Sequence, residues 1–302
     1  LGWYGLAKLL EFLFFGWYMG RFILSHTDKA SMVLAIGICL ECILSFFQLY
    51  NQGSLGGLFY FLGERTFSAQ TPGIANASVN GALLLRPYAT FSHPNVLAAY
   101  LVIGMTLLLL LGNKSRALFI RFFSKATLVI GSIALLLTLS RMAIVVWMIV
   151  LVSYALFLFR QRFTKKLAAI FACGLTGVLV SLYLFFPVLI YRFFSFTVAS
   201  ESIQTRLRLM QDAFSILLQH PFFGVGLLNF LPNLSSIDRE AISIFSLQPV
   251  HNIFLLLLSE TGIVFFLLVM IFPGKLIKSH VLRIAHRNSF FALLLLLELF
   301  LL

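Results

Sequence analysis

The sequence predicts an all-α, polytopic membrane protein with about eight transmembrane helices. Of the 302 residues, 61% are hydrophobic and only 11% are charged. A soluble domain has about 45–50% apolar and about 25% charged residues, so the composition indicates a lipid environment. Apolar runs of nearly the length that crosses a ~30 Å hydrocarbon core recur along the chain. They lie near 3–20, 30–49, 94–111, 126–140, 142–159, 167–190, 250–272 and 289–302.

The apolar run 126–159 is too long for one span. As a single helix it would measure about 50 Å at 1.5 Å per residue, well beyond the ~30 Å hydrocarbon core. We therefore predict two short helices with a turn at Ser140-Arg141. Both flanks of the run are strongly basic, which puts them on the same side of the membrane and also favours a hairpin.

The basic residues give the orientation. Four lie in each of the segments 113–125, 160–166 and 274–287, and two lie in 21–29, which makes fourteen of the 22. Eight alternating spans put all four segments on one side, which the positive-inside rule assigns to the cytoplasm. We therefore expect one membrane domain, 1–302, whose outer face carries two long loops, 50–93 and 191–249. Leu1 is not an initiator and the chain stops inside an apolar run, so we expect further terminal helices.

The larger outer loop contains a predicted surface helix near 202–219. Ile203, Leu207, Met210, Phe214 and Leu217 recur at the spacing of one helical face. Mostly polar residues occupy the opposite face, and Pro221 follows the end. Such an amphipathic helix would lie on the membrane surface.

The net charge of +12 does not indicate nucleic-acid binding, because the charges are separated by long apolar runs. All seven basic residues assigned to the outer face are arginines, whose planar fork suits phosphate groups. Pairing with nearby acidic residues or lipid head groups explains these arginines equally well. The seven are Arg65, Arg86, Arg141, Arg192, Arg206, Arg208 and Arg239.

Three histidines, His93, His220 and His251, fall at the outer face. His93 and the pair His251-Asn252 each precede a predicted span, where they could cap a helix or take part in chemistry. His220 precedes a proline and looks like a helix C-terminal residue. The sequence has no cluster with metal-ligand spacing and no phosphate-cradling glycine loop, so we expect neither a metal nor another cofactor.

Four short blocks of polar, proline and glycine residues stand out along the chain. They are Arg86-Pro-Tyr-Ala-Thr-Phe-Ser-His-Pro-Asn-Val-Leu-Ala98; Ser140-Arg141; Arg206-Leu-Arg-Leu-Met210 with Pro221-Phe-Phe-Gly-Val-Gly226 and Asn229-Phe230; and His251-Asn252 with Glu260 and Gly262. Together these blocks resemble the membrane O-antigen ligases and the related O-antigen or capsule polymerases. Three positions depart from the family pattern: Ala89 stands where glycine is usual, Met210 where tryptophan is frequent, and Phe265 where a small or polar residue is expected.

The resemblance implies a metal-independent glycosyltransferase of the bacterial inner membrane. Such enzymes move a glycan from undecaprenyl pyrophosphate to a hydroxyl group of lipid A core, another glycan or a protein, on the periplasmic or outer face. It implies catalytic roles for His251, Arg206 and Arg86. It also implies substrate-binding roles, assigned to Arg141, Arg208, His93, Asn95, Asn252 and Glu260.

A transporter of a small anion such as bicarbonate is the alternative. Glu41, Glu260 and Glu298 lie within apolar runs, where ionisable side chains often serve transport. Transporters usually place their site at the midplane between internal repeats. The sequence shows no repeat, and its polar clusters lie outside the spans, which favours glycan transfer.

Overall fold

The computed structural model describes residues 2–79, 82–112, 115–161, 201–237, 249–250 and 252–268, and these residues are mostly helical. The predicted spans 167–190 and 289–302 lie outside the described residues. The described helices are α1 (Gly2–Ser25), α2 (Thr27–Asn51), α3 (Leu58–Phe61), α4 (Pro94–Gly112), α5 (Leu118–Leu137), α6 (Arg141–Gln161), α7 (Glu201–Gln219), α8 (Phe230–Ile237) and α9 (Ile253–Leu268).

Three of the described helices, α2, α4 and α5, are long and apolar enough to cross a membrane. Helices α2 and α4 coincide with predicted spans, and α5 overlaps the predicted span 126–140. An apolar run of this length is the strongest sequence signal for a membrane helix. Two further described helical segments, α9 and Arg141–Ala155 of α6, are apolar but shorter. A total of about eight spans remains a prediction.

The predicted break in the long run 126–159 is confirmed. Helix α5 ends at Leu137 and α6 begins at Arg141. Between them Leu139 adopts a left-handed backbone with φ of 52°, a conformation that no regular right-handed helix contains. The prediction that 113–125 forms a basic loop is wrong in part. Helix α5 already begins at Leu118 and includes two of the four basic residues of this segment.

The loop 50–93 is more structured than a purely helical fold class predicts. Strands β1 (Asn76–Val79) and β2 (Ala82–Leu85) form an antiparallel hairpin. The sequence does carry a signal for it, since Asn80-Gly81 is a favoured two-residue hairpin turn. The hairpin leads directly into the segment 86–93, which carries the first of the four motif blocks.

The described residues form two compact units. One comprises those within Phe22–Ser195, and its core is built from α2, α4, α5 and α6 around Ile38, Leu101, Leu135 and Trp147. The other comprises those within Leu1–Arg21 and Phe196–Arg287, with a core of α7, α8 and α9 residues. A single membrane domain over 1–302 stays a prediction.

Helix α7 has two apolar stripes, of which the sequence indicated one. The predicted stripe is exposed: Leu207, Met210 and Phe214 keep 53%, 37% and 51% of their surface accessible. A second stripe, including Leu209 and Ile216, is buried against residues of α8 and α9. The helix therefore packs on its own unit while leaving an apolar face exposed. Its position on the membrane surface stays a prediction.

Candidate active site

Arg86 connects the first motif block to the turn that immediately precedes the second, Ser140-Arg141. Its side chain is buried, with 6% of its surface exposed. The Nε–H group donates to the carbonyl oxygen of Thr138 at 2.7 Å, and Nη2 donates to Oδ1 of Asn95 at 2.7 Å. The guanidinium thus connects the first turn of α4 with the turn between α5 and α6, immediately before Ser140-Arg141.

Gln48 of α2 shapes the segment that carries Arg86. Its buried side-chain oxygen accepts the N–H groups of Tyr88 at 2.9 Å and Ala89 at 2.7 Å. Its Nε2 donates to the Ala89 carbonyl at 3.0 Å and to Oε1 of Glu64 at 2.8 Å. All four hydrogen-bonding positions of the amide are therefore used. The sequence offered no signal for this residue, because its partners are distant along the chain.

Ala89 occupies a left-handed backbone position. Its φ is 50° and its side chain is fully buried. Glycine adopts this conformation without steric cost, whereas alanine does not. The conformation gives a physical reason for the glycine that is usual here in the family that the sequence resembles.

Two substitutions at Ala89 test this interpretation. We expect Ala89→Gly to change the free energy of unfolding by less than about 1 kcal/mol, since relief of strain offsets the added freedom of the unfolded chain. We expect Ala89→Val to lower it by about 2–3 kcal/mol, because a branched side chain is added to a buried left-handed position. Chemical denaturation of the purified variants measures both, and equal stability of the two would contradict the assigned conformation.

Two carboxylates near the segment 86–93 accept hydrogen bonds from groups other than arginine. Glu64, 3% exposed, accepts the N–H groups of Leu55 at 2.9 Å and Gly56 at 2.8 Å as well as the Gln48 amide. Glu41 accepts the hydroxyl group of Thr90 at 2.7 Å and its N–H at 3.2 Å. Both side chains hold loops against α2, so neither needs a transport role to account for its position in or near an apolar run.

His93 marks the start of α4. Its Nδ1 accepts the N–H group of Asn95 at 3.1 Å, and its carbonyl oxygen accepts that of Val96 at 2.9 Å. The imidazole is half-buried and lies edge-on to Tyr88, with 6.1 Å between ring centroids. Arg141, also half-buried, is the first residue of α6. Asn95 is hydrogen-bonded to both His93 and Arg86, so these three residues lie close together.

In the unit that contains α7, the segment 221–226 forms backbone hydrogen bonds with α9 on both sides of Gly262. The N–H groups of Val225 and Gly226 donate to the carbonyl oxygens of Ser259 and Glu260 at 3.2 and 2.7 Å. In return, Ile263 donates to Pro221 at 2.9 Å and Val264 donates to Phe222 at 3.3 Å. Helix carbonyls and N–H groups on both sides of Gly262, whose φ is 69°, are thus satisfied by the loop.

Glu260 holds the next turn of the same loop. Its carboxylate, on a residue 7% exposed, accepts the N–H groups of Leu228 at 3.0 Å and Phe230 at 3.2 Å. A carboxylate at the first residue of α8 also suits the positive end of that helix. A cavity of about 530 Å³ adjoins it, and its lining includes Trp3, Phe223, Gly226 and Phe265.

Asn252 caps α9. Its Oδ1 accepts the N–H groups of Phe254 at 3.0 Å and Leu255 at 3.1 Å, the pattern of an N-cap side chain. Arg206 and Arg208 are exposed on α7. His251 lies outside the described residues. Because Arg86 and Arg141 belong to the other unit, convergence of the predicted arginines on one cavity remains a prediction.

Within the described ranges, no group of three histidine, cysteine, aspartate or glutamate side chains could hold a metal ion. The described polar centres instead consist of arginine, amide and carboxylate side chains bonded to loop backbone. Of these groups, the arginine guanidinium groups are the ones that could donate to an anion, because Gln48 already uses its N–H donors and ionised carboxylates only accept. The hydrogen bonds to loop backbone also account for Glu41 and Glu260, two of the three carboxylates on which the transporter alternative depended.

Apolar helices of membrane-spanning length indicate a membrane protein. Residues 126–270 match the family model described as O-Antigen ligase. The match confirms the resemblance to the O-antigen ligase family that the motif blocks indicated, over the residues matched. No curated protein matches the chain, and nothing in these comparisons supports a transporter.

Proposed function

We propose that the protein transfers a glycan from undecaprenyl pyrophosphate to a hydroxyl acceptor on the extracytoplasmic face of the bacterial inner membrane. The O-antigen ligase match over 126–270 carries this proposal. It includes most of the predicted site residues: Arg141, Arg206, Arg208, His251, Asn252 and Glu260. Arg86, His93 and Asn95 precede the matched range, and the contact of Arg86 with Thr138 ties that segment to it.

Loss of pyrophosphate from the donor requires cations where negative charge develops. Donors that are fixed before the reaction stabilise such charge without reorganisation. The two 2.7 Å hydrogen bonds of Arg86 fix its guanidinium in this way. Arg141 and Arg206 are the other proposed cations, and Arg208 lies on the same exposed helix as Arg206. This assignment requires the arginines to converge when the donor is bound.

The acceptor hydroxyl is a weak nucleophile and gains from a positioned base. His251 is the proposed base, because histidine exchanges a proton near neutral pH without special tuning. The exposed stripe of α7, with Leu207 and Phe214, offers an apolar surface for the lipid carrier. The acceptor is a glycan, a lipid A core or a protein, and ligation and polymerisation use the same bond-forming step.

Transfer by the purified, reconstituted protein tests the function. A labelled glycan on undecaprenyl pyrophosphate is supplied together with lipid A core, a second lipid-linked glycan or a protein acceptor. We expect label to move to one of the acceptor classes with release of undecaprenyl pyrophosphate. Absence of transfer to every acceptor, with the donor bound and intact, would contradict the proposal.

Lysine in place of Arg86 keeps the charge but loses the planar fork that reaches both Thr138 and Asn95. We expect Arg86→Lys to lower transfer by about 10²-fold, the usual effect of losing one fixed donor, while the protein remains folded. Arg65→Lys is the matched control, because Arg65 lies in the same loop but is exposed and makes one bond, to the Ser92 carbonyl at 3.2 Å. Equal losses in the two variants would contradict a special role for Arg86.

Treatment with EDTA is expected to leave transfer unchanged, because the proposed charge stabilisation comes from arginines rather than a metal ion. The measurement compares rates before and after chelation followed by gel filtration. Activity that falls on chelation and returns with one particular divalent ion would show that a metal takes part.

A further inference from the structure

A short apolar loop follows α2 and has no role in the proposed chemistry. We call residues 54–64 the apolar loop; they contain no charged side chain except Glu64 at the end. Its tip, α3 with the residue after it, exposes four large hydrophobic side chains. Their accessible fractions are 80% for Leu58, 60% for Tyr60, 85% for Phe61 and 70% for Leu62. A contiguous exposed apolar patch of this kind usually marks an interaction surface.

The apolar loop is held in shape at its base. The Glu64 carboxylate accepts the N–H groups of Leu55 and Gly56 at 2.9 and 2.8 Å, and its own N–H donates to the Phe59 carbonyl at 2.9 Å. The Phe59 side chain packs against the core of its unit. Hydrogen bonds that close the base and one anchored aromatic ring therefore fix the other four side chains outward.

The exposed surface of α2 leads to this loop. Large apolar side chains with 39–86% exposure recur along α2 at the spacing of one helical face and continue to Tyr50, one residue before the helix ends. In a helix that can cross a membrane, such a face contacts lipid. Tyrosine at its end is typical of the membrane–water interface. Leu58 follows only seven residues after Asn51, so the tip lies close to that interface.

We propose that the tip, residues 58–62, inserts into the lipid bilayer at the membrane interface next to the end of α2. Burying apolar side chains at the acyl boundary is favourable at about 25 cal/mol per Å² removed from water. Tyr60 supplies an aromatic ring with a polar end, which suits the headgroup level. Continuity with α2 selects the bilayer over a protein partner as the occupant.

The same hydrogen bonds connect the tip to the candidate site. Gln48 bonds both Glu64, at the base of the apolar loop, and Ala89, in the segment that carries Arg86. An inserted tip therefore fixes the depth of that segment relative to the bilayer surface. A lipid-linked substrate presents its pyrophosphate at that surface, so this consequence rests on the proposed function, whereas insertion itself does not.

Site-directed spin labelling tests insertion. Phe61→Cys is labelled with a nitroxide in a background whose native cysteines are replaced, and the protein is reconstituted in phosphatidylcholine nanodiscs. Gln70→Cys is the matched control, an exposed polar position outside the apolar loop but within the same segment 50–93. We expect the label at 61 to favour collision with oxygen over an aqueous nickel chelate, at a depth of about 5–10 Å. The label at 70 should show the opposite preference.

Two outcomes would overturn the proposal. Aqueous accessibility at 61 equal to that at 70 would show that the tip stays in water. Exclusion of both oxygen and the chelate, with spin–spin broadening between labels, would show that a second copy covers it. A Phe61→Ser variant separates insertion from the proposed function: with the donor in detergent its transfer rate should match that of the unaltered protein, while in nanodiscs its rate should fall.

Discussion

Alanine in place of Gly262 is expected to disrupt the junction between α9 and the segment 221–226. A Cβ atom at this position would lie 2.3 Å from the carbonyl carbon and oxygen of Phe222 and 2.4 Å from the backbone nitrogen of Phe223. These are backbone atoms, so no side-chain rotation relieves the contact. The loop has to move away, and its hydrogen bonds with α9 are lost.

The expected cost is large because several effects act together. The left-handed backbone at Gly262 costs a non-glycine residue about 1–2 kcal/mol, and each buried backbone group left without a partner costs about 1–3 kcal/mol more. We therefore expect Gly262→Ala to lower the free energy of unfolding by at least about 3 kcal/mol. Gly224→Ala should behave alike, since its Cβ would meet the Glu260 carbonyl at 2.4 Å.

Gly73→Ala is the matched control for backbone conformation. Gly73 has a φ of 77°, similar to the 69° of Gly262, but an added Cβ would meet no atom within 4 Å. We expect Gly73→Ala to lower the free energy of unfolding by only about 1–2 kcal/mol, the cost of the left-handed backbone for a non-glycine residue. Denaturation of the three purified variants gives the comparison. If Gly262→Ala were as stable as Gly73→Ala, the result would contradict the close approach of the segment 221–226 to Gly262.

The helices and their breaks are the part of the fold that the sequence predicts well. The candidate spans α2, α4 and α5 follow from long apolar runs. The turn before Arg141 follows because a single helix over 126–159 would exceed the thickness of the bilayer. These inferences use local pattern and length alone. They need no knowledge of which residues meet in three dimensions.

The polar contacts are the part that local pattern cannot predict. Gln48 lies in an apolar helix with no motif around it, yet its amide shapes the segment around Ala89, about forty residues away. The motif glycines were recognised from the family pattern, but the reason for Gly262 appears only when the approach of Phe222 is known. For Asn252 the sequence left capping and substrate binding open. The side chain caps α9, and a substrate-binding role stays a prediction.

Loss of His251 is expected to have the largest effect on turnover. General-base catalysis typically contributes about 10²–10⁴-fold, so we expect His251→Ala to lower transfer by about that factor while donor binding survives. The family block that contains His251-Asn252 lies within the matched range 126–270. The measurement is single-turnover transfer at saturating donor, with donor affinity determined separately, so that binding and chemistry are distinguished.

Two histidine controls make this prediction specific to His251. His220→Ala removes an exposed histidine at the end of α7 and should leave transfer near that of the unaltered protein. His93→Ala should be less damaging than His251→Ala, because the His93 ring already accepts the Asn95 N–H at 3.1 Å and helps to begin α4. If His93→Ala costs more turnover, the two assignments are reversed. If His251→Ala weakens donor binding but leaves the turnover of bound donor intact, His251 binds the pyrophosphate and is not the base.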